Sequence, residues 1–142
     1  MDSAQEVVRP EHADAAVAID RDHGGDDARA DYLAARARDR GLFVAYAGKQ
    51  AKGFLCLEPV GFFRRPFVSL LIVHPAHRKS GTGTALLVGA EQAVSGRRLL
   101  ISTNQSNGPM IALLQKCRYT PCGWVSGIDE GDPELFYFKD TA

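Results

Sequence analysis

The segment from Leu71 to Leu87 runs from an apolar stretch through a basic turn into a helix opened by two glycines, Gly81 and Gly83. The apolar stretch, Phe67-Val68-Ser69-Leu70-Leu71-Ile72-Val73, shows almost no polar alternation, which marks a central strand covered on both faces. A chain built around such a strand needs helices on each side of a sheet, so an α/β architecture is expected. The turn behind the strand has the chemistry of an anion cradle. The first amides of a helix lack partners inside it, glycine lets a ligand approach the backbone, and the helix dipole puts about half a positive charge there. Arg78 and Lys79 add two full charges, which suits a diphosphate better than a carboxylate.

Two common diphosphate motifs do not fit. A dinucleotide fold needs Gly-x-Gly-x-x-Gly directly after a strand, whereas Leu86 holds the third position and His74 to Ser80 intervene. A P-loop needs a glycine followed by Lys-Ser or Lys-Thr at fixed spacing, and no glycine here has it.

Around this stretch the pattern predicts a short strand at Glu6 to Arg9 and a helix opened by Pro10 and running to Asp22. Asp26 and Asp27 cap a second helix that ends in Arg36, Arg38 and Arg40, with Gly41 expected as the residue just past its end. Leu42 to Ala47 and Gly53 to Val60 read as a hairpin. After the central strand come a helix over Gly83 to Ser95, a strand at Leu99 to Ser102, a helix over Asn107 to Cys117, and strands at Tyr119 to Ser126 and Leu135 to Lys139. The order is βααβββαβαββ, a mixed, mostly antiparallel sheet flanked by helices. Trp124 and Phe136-Tyr137-Phe138 are expected to pack in the core and sheet, and Arg97-Arg98 to face solvent.

At 142 residues and 45% hydrophobic content, one domain over 1–142 is expected. Formal net charge is zero, which argues against nucleic acid or anionic membrane as a partner, although residues 1 to 40 carry net −4 and the remainder net +4. Three cysteines, Cys56, Cys117 and Cys122, make an odd count without metal spacing, so a reducing, cytoplasmic setting is expected. Met1 to Glu6 lacks the basic and apolar runs of a secretory signal. His74 and His77 sit three apart with no third ligand, so no metal is expected.

Arg78-Lys79-Ser80-Gly81-Thr82-Gly83, behind a strand ending Val73-His74-Pro75, resembles the acyl-CoA-binding motif of the GNAT superfamily of N-acetyltransferases. A second pattern of that family runs from Asn107 through Ile111-Ala112-Leu113-Leu114 to Tyr119. The resemblance covers essentially the whole chain and implies a GNAT-like fold, with acetyl-CoA as co-substrate and a small-molecule or protein amine as acceptor. It implies that amides of Arg78, Lys79, Ser80, Gly81, Thr82, Gly83 and Thr84 grip the pyrophosphate. The main chain over Leu71, Ile72 and Val73 would pair with pantetheine, Asn107 would hydrogen-bond that arm, and the Leu71 region would point an N–H at the thioester carbonyl. It also implies that pairing through the C-terminal strands could form a homodimer.

The chain departs from the family in two places. The position of the family's tyrosine acid is Leu114, and the usual glycine before the aromatic is Arg118; Tyr119 is a substitute acid to weigh. The stretch Arg64-Arg65-Pro66-Phe67 has no acid to serve as base, so Glu58, which strand alternation places with Phe54 and Cys56, is the candidate. The acidic run Asp20, Asp22, Asp26, Asp27 and Asp31 reads as capping and solvated residues, or as a rim favouring a cationic amine. Two classes stay open: an N-acyltransferase working by direct attack, and a degenerate domain that binds acyl-CoA without turnover.

Overall fold

The computed structural model describes residues 6–142, so five of the six residues read as lacking a leader lie outside the described ones. Eleven elements follow in the expected order: β1 (Glu6–Pro10), α1 (Ala13–Asp22), α2 (Asp27–Arg38), β2 (Leu42–Ala47), β3 (Gln50–Phe62), β4 (Arg65–Val73), α3 (Thr82–Ala93), β5 (Arg98–Asn104), α4 (Gly108–Lys116), β6 (Thr120–Val125) and β7 (Glu134–Asp140). A single 3₁₀ turn, Pro75–His77, lies between β4 and α3. The strands form one sheet in the order β1-β2-β3-β4-β5-β7-β6, antiparallel except for β4 against β5. No helix among the described residues is long and apolar enough to cross a membrane.

Alternation along β3 builds two cores. Phe54 and Cys56 point to one face, where Ala16 and Ile19 of α1 and Leu33 of α2 cover them. Leu55 and Leu57 point to the other, under Leu86, Leu87 and Ala90 of α3 and Leu114 of α4. Each fully buried leucine contributes about 2 kcal/mol through removal of apolar surface from water, so neither layer is dispensable.

Two irregularities in β4 shape the site. Cys56 pairs with Leu70 and Leu57 with Val68, so Ser69 is an extra residue, a β-bulge. Its effect on facing is visible in the packing. Val68 and Leu71 join the α3 core, whereas Leu70 and Ser69 both turn towards α1 and α2. The second irregularity is divergence: β4 stays paired with β3 out to Val73, yet pairs with β5 only at Phe67 and Val68.

Several local expectations need correction. Pro10 does not open α1; it closes β1 opposite Phe43, and α1 starts at Ala13. The left-handed residue past α2 is Arg40, at φ +60°, and not Gly41. Gly41 is required by space instead, because a Cβ there would stand 2.3 Å from the Leu57 carbonyl oxygen. Asp26 does cap α2, its Oδ1 accepting from the Arg29 amide at 2.9 Å. Asp20 is not a solvated rim residue: it is 2% exposed and ion-paired to Arg29. Trp124 is not core either, standing 69% exposed on the edge strand β6.

Candidate active site

His74 donates its amide to the Lys52 carbonyl at 2.8 Å. In an antiparallel pair hydrogen-bonding direction alternates, so Leu71 and Val73 turn their main-chain groups away from β3, towards the side β5 has left. That leaves a stretch of strand edge inside the protein without a strand partner. Buried main-chain groups need partners, so such an edge is suited to an extended ligand with amide groups of its own.

Facing this edge is the start of α3. Gly81 is its N-cap residue at φ +87°, and Lys79 also lies in the left-handed region at φ +63°. These two conformations curl the chain so that the first amides of α3 open together, the arrangement that binds anions. No side chain caps them at Gly81. Between the β4 edge, this turn and α4 lies a cavity of about 840 Å³. Leu71, Ile72, Val73, Arg78, Lys79, Gly81, Thr82, Gly83, Thr84 and Asn107 line it, so nearly all of the sequence candidates meet in one place. Ser80 is the exception among the turn residues. Its hydroxyl donates to the His77 carbonyl and lies 3.0 Å from Thr82 Oγ1, which braces the turn. Ile72 lines the cavity but by alternation directs its main chain to β3.

The remaining lining comes from residues to which the sequence analysis assigned no binding role. Met110 and Leu113 of α4 supply an apolar wall and Lys116 a further cation. His23, from the corner between α1 and α2, completes the mouth and accepts from Arg78 Nη2 at 3.4 Å. Asp22 beside it accepts from His74 Nε2 at 3.0 Å, while the Ala76 amide donates to His74 Nδ1, which assigns the ring proton to Nε2. Among the described residues no carboxylate lines the cavity, while Arg78, Lys79 and Lys116 bring positive charge to it. Asn107 caps α4, its Oδ1 accepting from the Met110 amide at 3.2 Å, and its Nδ2 has no partner among the described residues. Gly83 packs closely on α4: a Cβ there would stand 2.8 Å from Leu113 Cδ2, so the end of that side chain would have to shift.

Glu58 does not line this cavity. It sits on the α2 side of the sheet, where its carboxylate accepts from the Tyr32 hydroxyl, which also meets Ser69 Oγ on the bulge. Burial, reinforced by the hydrogen bond to Glu58, holds the Tyr32 phenol well above its ordinary range, so it stays protonated. Leu114 is wholly buried in the α3 core, and Tyr119 lies beneath α3 with its hydroxyl donating to Glu91 at 2.7 Å. Tyr119 is therefore a packing residue and no substitute acid. Cys56 is buried and its thiol is pushed up to about 12, which leaves it inert as a nucleophile. Among the described residues no group of three or more His, Cys, Asp or Glu could hold a metal ion.

The chain matches the sequence profile of the Acetyltransferase (GNAT) family over residues 6–119. It is similar to the crystal structure of a GNAT-family acetyltransferase from Bacillus cereus ATCC 10987, with 28% identity, TM-score 0.88, and coverage of 98% of this chain and 99% of that one. It is also similar to nourseothricin acetyltransferase, with 26% identity and TM-score 0.61 over 71% of this chain and 65% of that one. The fold recurs in YncA of Salmonella typhimurium, solved with its cofactor acetyl-CoA, at 19% identity and TM-score 0.72 over 95% of this chain and 93% of that one. A comparison with curated proteins found no match. Matched by that profile over residues 6–119, most of its length, the chain belongs to the GNAT acetyltransferase family.

Proposed function

We propose that this protein transfers an acetyl group from acetyl-CoA to a primary amine by direct attack. The observation that carries the reading is the edge of Leu71 and Val73, paired with no strand on that side, facing the open amides of α3 across one cationic cavity. Those groups match the co-substrate piece by piece: the amides from Arg78 to Thr84 suit its pyrophosphate, and the edge of β4 and Asn107 Nδ2 suit the two amides of pantetheine. Bound there, acetyl-CoA supplies an activated acyl group on a thiol of pKa about 8.5, which departs without an obligatory acid. That property fits a chain in which Leu114 stands where the family places tyrosine.

The remaining work falls on this chain's own groups. The Leu71 N–H donates to the acyl oxygen, a contribution typically worth about 3 kcal/mol when it strengthens in the transition state. An alkylamine of pKa about 10.4 costs about 4 kcal/mol to deprotonate at neutral pH. Glu58 takes that proton, directly or through water, with Tyr32 and Ser69 fixing its carboxylate on the α2 face from which the amine approaches. The similarity to nourseothricin acetyltransferase supports a small-molecule amine as acceptor.

Thiol release from acetyl-CoA over a panel of small amines and peptides tests this reading. Turnover with at least one amine is expected. Micromolar CoA binding with no turnover for any amine would instead favour a binding module, the reading to which the buried Leu114 lends weight.

A further inference from the structure

The far end of β4 carries a second concavity of about 720 Å³, lined by Phe63, four arginines, Arg64, Arg65, Arg97 and Arg98, and the lone carboxylate Asp140. It lies at the opposite end of the strand from the α3 turn. Asp140 is already committed, accepting from Arg98 Nε at 2.7 Å and Nη2 at 3.0 Å. Arg97 reaches a carbonyl, that of Pro59 at 3.5 Å, and among the described residues Arg64, Arg65 and Arg97 form no ion pair with a carboxylate. Guanidinium groups gathered in a concave wall repel one another and focus a positive field, a cost that an anion bridging them removes.

The hairpin that presents them is informative in its own right. Phe62 pairs with Arg65, so the β3–β4 loop has two residues, Phe63 at φ +51° and Arg64 at φ +64°. Such a turn is filled with least strain by Asn-Gly. Here it holds an arginine and a phenylalanine that meets the Phe62 ring edge-on at a centroid distance of 4.7 Å yet stays 85% exposed, a thin compensation for a left-handed backbone. Strain retained at exposed side chains beside a cation cluster points to use of those side chains.

We propose that this concavity binds a small polyphosphate anion. The planar forks of Arg64, Arg65 and Arg97 bond phosphate oxygens in pairs, a geometry that phosphate meets from several directions at once. The site is separate from the acetyl-CoA cavity and does not depend on it.

The experiment is a titration of inorganic triphosphate into the ¹⁵N-labelled full chain, read at individual amides. Arg64, Arg65, Arg97 and Arg98 shift together with one Kd that weakens as salt is raised. Arg64→Gly separates this role from a structural one. It relaxes the turn and so raises Tm, yet weakens the Kd at these amides at least fivefold, while Arg64→Lys retains most of the affinity. Shifts confined to Arg78–Thr84, no shifts at all, or an affinity unchanged by both Arg64→Gly and Arg97→Ala would overturn the assignment.

Discussion

The Tyr32 hydroxyl of α2 donates to the Glu58 carboxylate of β3 and also meets Ser69 Oγ on the bulge of β4, tying three elements together at the edge of the proposed reaction centre. Because the phenol is held protonated, it orients the carboxylate without competing for its proton. Glu58→Gln is expected to lower kcat about a hundredfold, within the usual range for a lost general base, with CoA affinity unchanged. Steady-state kinetics and calorimetry check this. Unaltered kcat would remove Glu58 from the mechanism.

Tyr32→Phe keeps the ring but frees the carboxylate. A smaller fall in kcat than for Glu58→Gln is expected, with CoA affinity unchanged, because the hydrogen bond that orients the carboxylate is gone. A change in Tm with kcat unmoved would indicate packing alone.

The two glycines of the turn should respond differently. Gly81→Ala forces a Cβ into the left-handed region but meets no neighbour, so a loss of about 1 kcal/mol is expected, with modestly weakened CoA binding. Gly83→Trp places bulk against Leu113 and into the cavity, and CoA binding is expected to vanish. Calorimetry with CoA and thermal melts separate the two effects.

Arg118 holds the left-handed conformation at φ +68° in the tight turn between α4 and β6. Arg118→Gly should stabilise by about 1 kcal/mol, or roughly 3 °C in Tm, without touching the cavity. Leu114→Ala, by contrast, opens a hole in the α3 core and should cost about 3 kcal/mol.

Alkaline pH should destabilise the fold. Burial raises the thiol of Cys56 to about 12 from an ordinary 9.0, and it also raises the phenols of Tyr32 and Tyr119. The unfolded chain therefore releases protons that the folded chain retains, so stability is fully present below about pH 9 and falls as pH climbs above it. Melts from pH 8 to 11 check the sign. A thiol reagent at pH 8 should label exposed Cys122 quickly and Cys56 only on unfolding.

What the sequence revealed depended on how local its signal was. The basic turn before α3 lies within one contiguous stretch, so its strand, charges and glycines could be read together. α2 declared its start through Asp26 for the same reason. His23 reaches the cavity from 55 residues before Arg78, and nothing near it in sequence says so. The bulge at Ser69 was equally silent, because an apolar run looks the same whether or not one residue is slipped. Trp124 misled in the other direction: composition placed it inside, whereas the outermost position of β6 leaves it no second layer to pack under.

The two residues Phe67 and Val68 are the only rungs joining β4 to β5, so the sheet is close to two separate ladders hinged at one end. A coenzyme laid along the open length would act as a clasp across that seam. Hydrogen exchange at Leu71 and Val73 should then slow on CoA binding far more than exchange deep within either ladder, making the substrate a temporary part of the scaffold.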